Sequence, residues 1–240
     1  MLYSLNDATV YTFVLTSWQR DKAWKLFQYP CIGKYTFLDF SIGQAEEYNE
    51  VLERIKSGHK LLDLGCCFGQ DVRKIVYDGA PAEKITATEL ERGFIEMGYE
   101  LFRDKGSLTT KFIAGDFFAT RESELPSGTF DIVHAASFYH LFNWDEQVEV
   151  LAKTVRLLKQ APGSMIFGRQ YGVEQARELK HAATRSGSVW QHNLASFEEM
   201  VQEVMNRTST RLQCRVSAVP SPDWYTDEKW SQIRYCIRLT

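Results

Sequence analysis

From Gln44 onward the apolar residues alternate between two repeat lengths. In QAEEYNEVLERIKSG (44–58) Ala45, Tyr48, Val51, Leu52 and Ile55 recur at the three- and four-residue spacing of one helix face, and Ser57-Gly58 ends the run. The next apolar stretch, KLLDL (60–64), is too short for a helix and reads as a buried strand. A glycine-bounded turn, Gly65 to Gly69, follows it, then a helix carrying Val72, Ile75 and Val76 that ends near DGAP. The pairing repeats in ITATE (85–89) with a helix on Phe94, Met97, Leu101 and Phe102, and then in the strands KFIAGD (111–116) and FDIVHA (130–135). A helix over 145–158 buries Val148, Leu151, Ala152, Val155 and Leu158, and SMIFG (164–168) forms a fifth strand after the APG turn. This alternation predicts an α/β fold, a doubly wound, mostly parallel sheet with helices on both faces.

Two further signals complete the chain. Ser196 with Glu199 three residues on fits a capping box opening a helix whose apolar face is Phe197, Met200, Val201 and Val204. The β-rich runs LQCRVSAV (212–219) and IRYCIRL (233–239) are expected to close the sheet as a terminal pair. Residues 1–43 are different: Tyr3, Tyr11, Phe13, Trp18, Trp24, Phe27, Tyr29, Tyr35, Phe37 and Phe40 follow no sustained period. They read as an appendage over the main domain, with core packing, a substrate lid and a homodimer surface all open, so the expected division is 1–43 and 44–240.

Composition narrows the function classes. A net charge of -3, with acids and bases interspersed, provides no basic stripe for a phosphate backbone, so no nucleic-acid partner is expected. The five cysteines form no C-x-x-C pair and no zinc spacing with histidine, which fits a reducing compartment and no metal. The start lacks a basic segment followed by an apolar one, and no apolar run approaches membrane-spanning length. The expectation is a cytoplasmic enzyme with no membrane partner.

A doubly wound sheet binds its ligand at the carboxyl ends of its strands. The first strand ends in Asp63-Leu64-Gly65-Cys66-Cys67-Phe68-Gly69, where the glycines allow a tight turn and close approach of a ligand to the backbone. The second ends in Glu89, where nucleotide-binding folds place an acid on a ribose hydroxyl. A G-x-G-x-x-G fingerprint from Gly65 would need glycine at 67 and 70, and the chain has Cys67 and Gln70. The phosphate-loop pattern is missing too, so a ribose-bearing ligand without phosphates is favoured over a dinucleotide. Against these readings, Glu89 can be a solvated strand end, Asp116 an Asx turn after Gly115, Cys66 and Cys67 buried packers, and His134 a satisfied core histidine.

LLDLGCCFGQD, ITATELE, FIAGDFF and FDIVHAASFYHLF, in that order, resemble the motif series of class I S-adenosylmethionine methyltransferases over residues 44 to 170. The resemblance implies a seven-stranded Rossmann-like sheet with an N-terminal helical lid. It implies S-adenosylmethionine as cofactor, with Asp63 and Gly65 to Gly69 near its methionine part, Glu89 on the ribose, Asp116 and Phe117 at the adenine, and Ala135 lining it. The middle glycine of the usual loop is Cys67 here. PCIGKYTFLDFSI (30–42), VLERIKSG, the GCCFGQD loop and QHNLASFEEMVQEV (191–204) are also similar to fungal meroterpenoid and related secondary-metabolite methyltransferases, which implies a terpenoid carboxylic acid as acceptor.

His140 follows the fourth strand among Phe138, Tyr139, Phe142 and Trp144, where a methyl acceptor would lie. Tyr139, Trp190, His192 and Arg169 are the other candidate acceptor contacts, while Asn193 can simply organise a turn. An ionised carboxylate needs no general base, whereas a phenol usually does, and the sequence offers His140, the candidate catalytic residue, and His192 as possible bases. The expected reaction is therefore O-methylation of a small hydrophobic acid, with phenol, amine or carbon methylation and a non-catalytic, cyclisation-assisting protein as rival readings.

Overall fold

The computed structural model describes residues 7–181, 184–220 and 230–240, with side chains described from residue 17 on except at 30, 220 and 230. Tyr3 and the side chains of Tyr11 and Phe13 lie outside the described residues. A long helix, α1 (Asp7–Leu26), and a single turn, α2 (Pro30–Gly33), precede α3 (Tyr48–Lys56). The alternating part follows as β1 (Leu61–Leu64), α4 (Gln70–Tyr77), β2 (Ile85–Glu89), α5 (Arg92–Phe102), β3 (Lys111–Ala114), β4 (Ile132–His134), α6 (Trp144–Leu157) and β5 (Met165–Val173). Then come a short hairpin of β6 (Arg177–Lys180) and β7 (Ser188–Gln191), the helix α7 (Leu194–Thr208), and the long strands β8 (Leu212–Pro220) and β9 (Trp230–Leu239).

Seven strands form one sheet in the order β3-β2-β1-β4-β5-β9-β8, with β1 to β5 mutually parallel and β9 antiparallel to both neighbours. The four residues of β1 are all buried, as a central parallel strand requires when helices cover both faces. On one face Leu62, Leu64, Val133, Ile166 and Ile237 pack with Val148, Leu151 and Val155 of α6 and Phe197, Met200 and Val201 of α7. On the other, Leu61, Ile132, Met165 and Phe167 pack with Val51 and Ile55 of α3 and Val72 and Ile75 of α4.

Two local expectations are corrected and two features are added. The first 43 residues hold a helical segment, as the resemblance implied: α1 spans 20 of them, in a stretch whose sequence shows no sustained period. Gln19 and Lys22 of α1 both donate to Glu100 of α5, at 3.1 and 2.7 Å. The helix expected from Gln44 begins at Tyr48, since Ser41–Gln44 forms a separate 3-10 turn held by Asp71 through Ser41 Oγ (2.7 Å) and the Ile42 amide (3.1 Å). The capping box of α7 is Asn193 with Ser196: Asn193 Oδ1 accepts from the Ser196 amide at 2.9 Å, and Ser196 Oγ from the Asn193 amide at 3.1 Å. Finally, the β6–β7 hairpin is short and largely half-buried or exposed, with Val189 its one buried residue, so it leaves no hydrophobic alternation to read.

A third apolar cluster joins the N-terminal segment to the turn after β1. Ala23, Ile32 and Phe37 meet Phe68 of that turn and Phe94 and Met97 of α5, with the Phe37 and Phe68 rings 4.8 Å apart. Gly98 makes this approach feasible, because a Cβ there would lie 2.1 Å from the Phe68 carbonyl oxygen. Gly98→Ala adds helix propensity worth up to about 1 kcal/mol, yet forces a backbone shift costing roughly 1–3 kcal/mol. Urea unfolding is expected to show net destabilisation; equal or greater stability would mean that α5 and the turn are not packed in this way.

Candidate active site

The turn after β1 runs through left-handed backbone at Gly65 (φ 69°), Cys67 (φ 53°) and Gly69 (φ 67°). A Cβ at Gly65 would sit 2.8 Å from Phe138 Cδ2, so glycine is needed there for space as well as for conformation. Cys67 carries a side chain in this region at a cost of roughly 1–2 kcal/mol. What holds it is Glu89: one carboxylate oxygen accepts from the Cys67 amide at 2.8 Å and the other from the Glu91 amide at 3.2 Å. The Cys66 amide meanwhile donates to the Thr88 carbonyl at 2.9 Å. Burial raises the Glu89 pKa, opposed by the amides of Glu91, Cys67 and Leu90. From α4, Arg73 donates to the Phe68 and Gly69 carbonyls at 2.5 and 3.2 Å while its guanidinium pairs with Asp104 at 2.6 and 2.8 Å.

Beside this turn, β1 and β4 bring Asp63 opposite His134, with Asp63 Oδ1 2.8 Å from His134 Nδ1. Ala135 is fully buried; its amide donates to the Phe167 carbonyl at 2.9 Å and its carbonyl accepts from the Tyr235 hydroxyl. At the tip of β3, Asp116 Oδ1 caps a 3-10 turn through the Phe118 amide at 2.9 Å, which is the plainer of its two sequence readings. Its other oxygen pairs with Arg185 of the β6–β7 connection at 2.6 Å, where the guanidinium lies 4.5 Å over the Phe118 ring. Phe117, expected at the adenine, is turned inward instead: it is 5% exposed and meets Phe138 edge-on at 5.9 Å. Burial raises the Cys66 and Cys67 thiols well above their usual range, which suits packing rather than nucleophilic roles.

The expected acceptor contacts separate. Tyr139 has no exposed surface and packs on Phe138 and Tyr235 at 5.8 and 6.0 Å, so it is a core residue; the apolar face of the chain around it is what made it look like a wall. His192 is also fully buried, with Nδ1 2.9 Å from Ser196 Oγ and Nε2 3.1 Å from Gln147 Oε1. It ties α7 to α6, and burial pulls its pKa down to about 4. Trp190 is half-buried against Trp144 at 5.3 Å, and its carbonyl accepts from Gln147 Nε2 at 2.9 Å. His140 is half-buried, its Nδ1 has no partner, and burial pulls its pKa to about 4. Arg169 lines a cleft with His134, Ser41, Gln44 and Tyr235; its Nη2 is 3.7 Å from Asp39, and its buried Nε has no partner.

Two contributors escaped the sequence reading, and a third, His134, was read as a satisfied core histidine without its partner. Burial raises the pKa of Tyr29 and pushes the Cys31 thiol up to about 11, and the charge of Glu89 acts on both, so the N-terminal segment reaches the β2 tip. His134 pairs with Asp63 only across strands 71 residues apart in the chain. Arg185 lies in a connection without regular pattern. Among the described residues no three of His, Cys, Asp and Glu gather as a metal site would need, and no helix is long and apolar enough to cross a membrane.

A glycine turn after β1, a buried acid ending β2 and this strand order define a class I S-adenosylmethionine-dependent methyltransferase. A methyltransferase domain model matches residues 61–161, and a meroterpenoid methyltransferase N-terminal domain model matches residues 14–38. The chain is 37% identical to the O-methyltransferase phiE of a fungal species, over 87% of this chain and 70% of phiE. It is 39% identical to the asnovolin E/chermesin D methyltransferase nvfJ of Aspergillus novofumigatus, over 80% of this chain and 70% of nvfJ. Among solved structures, the DhpI complex with S-adenosylhomocysteine shares the fold, with a TM-score of 0.55 at 16% identity over 95% of this chain and 96% of that one. The chain belongs to the family of fungal secondary-metabolite methyltransferases that phiE and nvfJ represent.

The two depressed histidines set a stability signature. A histidine that stays neutral in the folded state but protonates in the unfolded chain contributes stability that is complete above about pH 6.5 and lost as pH falls toward 4. For His192 the loss is on the order of 2–3 kcal/mol. Unfolding free energies measured from pH 7.5 to 4.5 are expected to fall less steeply in His192→Gln than in the wild type; parallel slopes would place His192 outside the buried bridge.

Proposed function

We propose that the enzyme methylates the carboxylate of a hydrophobic, terpenoid-like acid, giving the methyl ester. S-adenosylmethionine supplies a methyl carbon on a positively charged sulfur. The strand tips suit that donor: Glu89 presents a buried carboxylate at the ribose position, the turn lacks a pyrophosphate fingerprint, and Asp63 keeps a buried oxygen without a partner that suits a cationic group. Asp63, Gly65, Gly69, Glu89, Asp116 and Ala135 would hold it. For an in-line displacement the chain must align acceptor oxygen and methyl carbon and exclude water, and such alignment supplies roughly 7–11 kcal/mol of the barrier.

The observation that carries the carboxylate reading is the state of the two expected bases. His192 is spent on Gln147 and Ser196, and His140, with a pKa near 4, is too weak a base to draw a proton from a phenol. An ionised acid needs no such help, and Arg169 offers a cation with an unpartnered Nε in a cleft beside the β4 tip. The names of phiE, an O-methyltransferase, and nvfJ, an asnovolin E/chermesin D methyltransferase, together with the meroterpenoid methyltransferase N-terminal match, agree with methyl transfer to an oxygen of a terpenoid-type acceptor.

Single-turnover rates with a panel of terpenoid acids and phenols, measured from pH 6 to 9, are expected to be nearly flat with pH and to give products cleaved by mild ester hydrolysis. A rate rising about tenfold per pH unit, or a methyl group that resists hydrolysis, would reassign the acceptor to a phenol or a carbon centre. S-adenosylhomocysteine is expected to bind and raise the melting temperature, and Glu89→Ala to weaken that binding by about 1.5–3 kcal/mol. Calorimetry showing unchanged affinity in Glu89→Ala would remove Glu89 from the donor site.

A further inference from the structure

One histidine takes no part in the transfer described above. His134 of β4 stands in register with Asp63 of β1, and their side chains are 2% and 4% exposed. His134 Nδ1 lies 2.8 Å from Asp63 Oδ1, while Asp63 Oδ2 is buried without a partner. The imidazole ring lies 5.0 Å from that of Phe167, and His134 lines the cleft together with Ser41, Gln44 and Arg169. Burial raises the Asp63 pKa, so alone it would tend to take up a proton and lose its charge. His134 opposes this. Burial lowers its own pKa, but the hydrogen bond and charge of Asp63 outweigh that and leave it raised, the direction that favours an imidazolium–carboxylate pair.

The pair is thus a carboxylate with one oxygen fixed and one left for a donor, two residues before the Gly65 turn. A buried charged oxygen without a donor is costly, and a ligand that brings an N–H recovers that cost. Because the oxygen belongs to an anion, the fitting group is a cation, not a phosphate or a carboxylate.

We propose that His134 is a positioning residue: by holding Asp63 Oδ1 it turns the carboxylate so that Asp63 Oδ2 receives the α-ammonium of the methyl donor's amino-acid tail. The inference rests on the methyl-donor reading above and assigns that site a requirement carried by β4.

Two ligands separate the possibilities. S-adenosylhomocysteine carries the amino-acid tail, and 5′-methylthioadenosine has the same nucleoside and thioether without it. By calorimetry, His134→Leu is expected to weaken S-adenosylhomocysteine about tenfold or more, the loss of one charge-assisted hydrogen bond, while methylthioadenosine changes less than about twofold. His134→Asn, whose amide can donate from the Nδ1 position, is expected to restore most of the difference, and His134→Gln, whose amide lies further out, to behave like leucine. If the wild type binds neither ligand, the donor reading itself fails. If it binds both, and His134→Leu weakens the two equally or neither, the positioning role is overturned. Should the leucine variant not fold, equal tail preference in the asparagine and glutamine variants overturns it.

Discussion

The site depends on the hydrogen bond from the Cys67 amide to the Glu89 carboxylate. It fixes a turn with left-handed backbone at three alternating positions, one of which bears a side chain. Two strand tips, otherwise joined only by ladder hydrogen bonds, become one rigid platform, and the surrounding elements are fitted to it. Arg73 collects its outward carbonyls, Gly98 lets α5 lie against it, and Phe37 covers it from the N-terminal segment. Such a turn is already ordered before a ligand arrives, which reduces the entropy lost on binding.

Charge is distributed unevenly around this platform. The side toward β1 and β2 holds the buried acids Asp63, Glu89 and Asp71, each given partners by an imidazole, backbone amides or a hydroxyl. The β4–α6 side is aromatic, with Phe138 meeting Tyr139 and Phe142, Trp144 packed against the same cluster, and Lys153 consumed by three carbonyls near the β3 tip. The proposed donor, a nucleoside with a cationic tail, suits the first side and the proposed apolar acceptor the second, so the carboxyl ends of one sheet would offer two environments to two reactants.

Much of this was legible in the chain because local signals dominate it. ITATE gave β2 residue for residue, the helix on Val72, Ile75 and Val76 expected to end near DGAP corresponds to α4, and the periods at 94–102 and 145–158 located α5 and α6 to within two residues. The terminal strand pair was visible from its β-branched runs. What escaped was set by tertiary contact. Tyr139 and His192 had the chemistry of a binding wall, but only packing against Tyr235 and Gln147 shows that they are enclosed. Asn193 and Ser196 form the α7 cap because Asn is as good an N-cap as Ser, so sequence allowed both frames. The pairing of His134 with Asp63 required knowing that β1 and β4 are neighbours.

The position of β9 has a consequence for how the molecule is assembled. This strand follows the other six in the chain, yet it lies inside the sheet, between β5 and β8. Until it is made, β5 has an unpaired side and β8 has no neighbour, so the domain cannot form by successive addition from its amino end. The first five strands can collapse as a parallel unit, with an apolar strand open along one side. Completion is then a single insertion that joins two partial sheets, and during that interval the nascent chain is exposed to mispairing in a way the finished fold conceals.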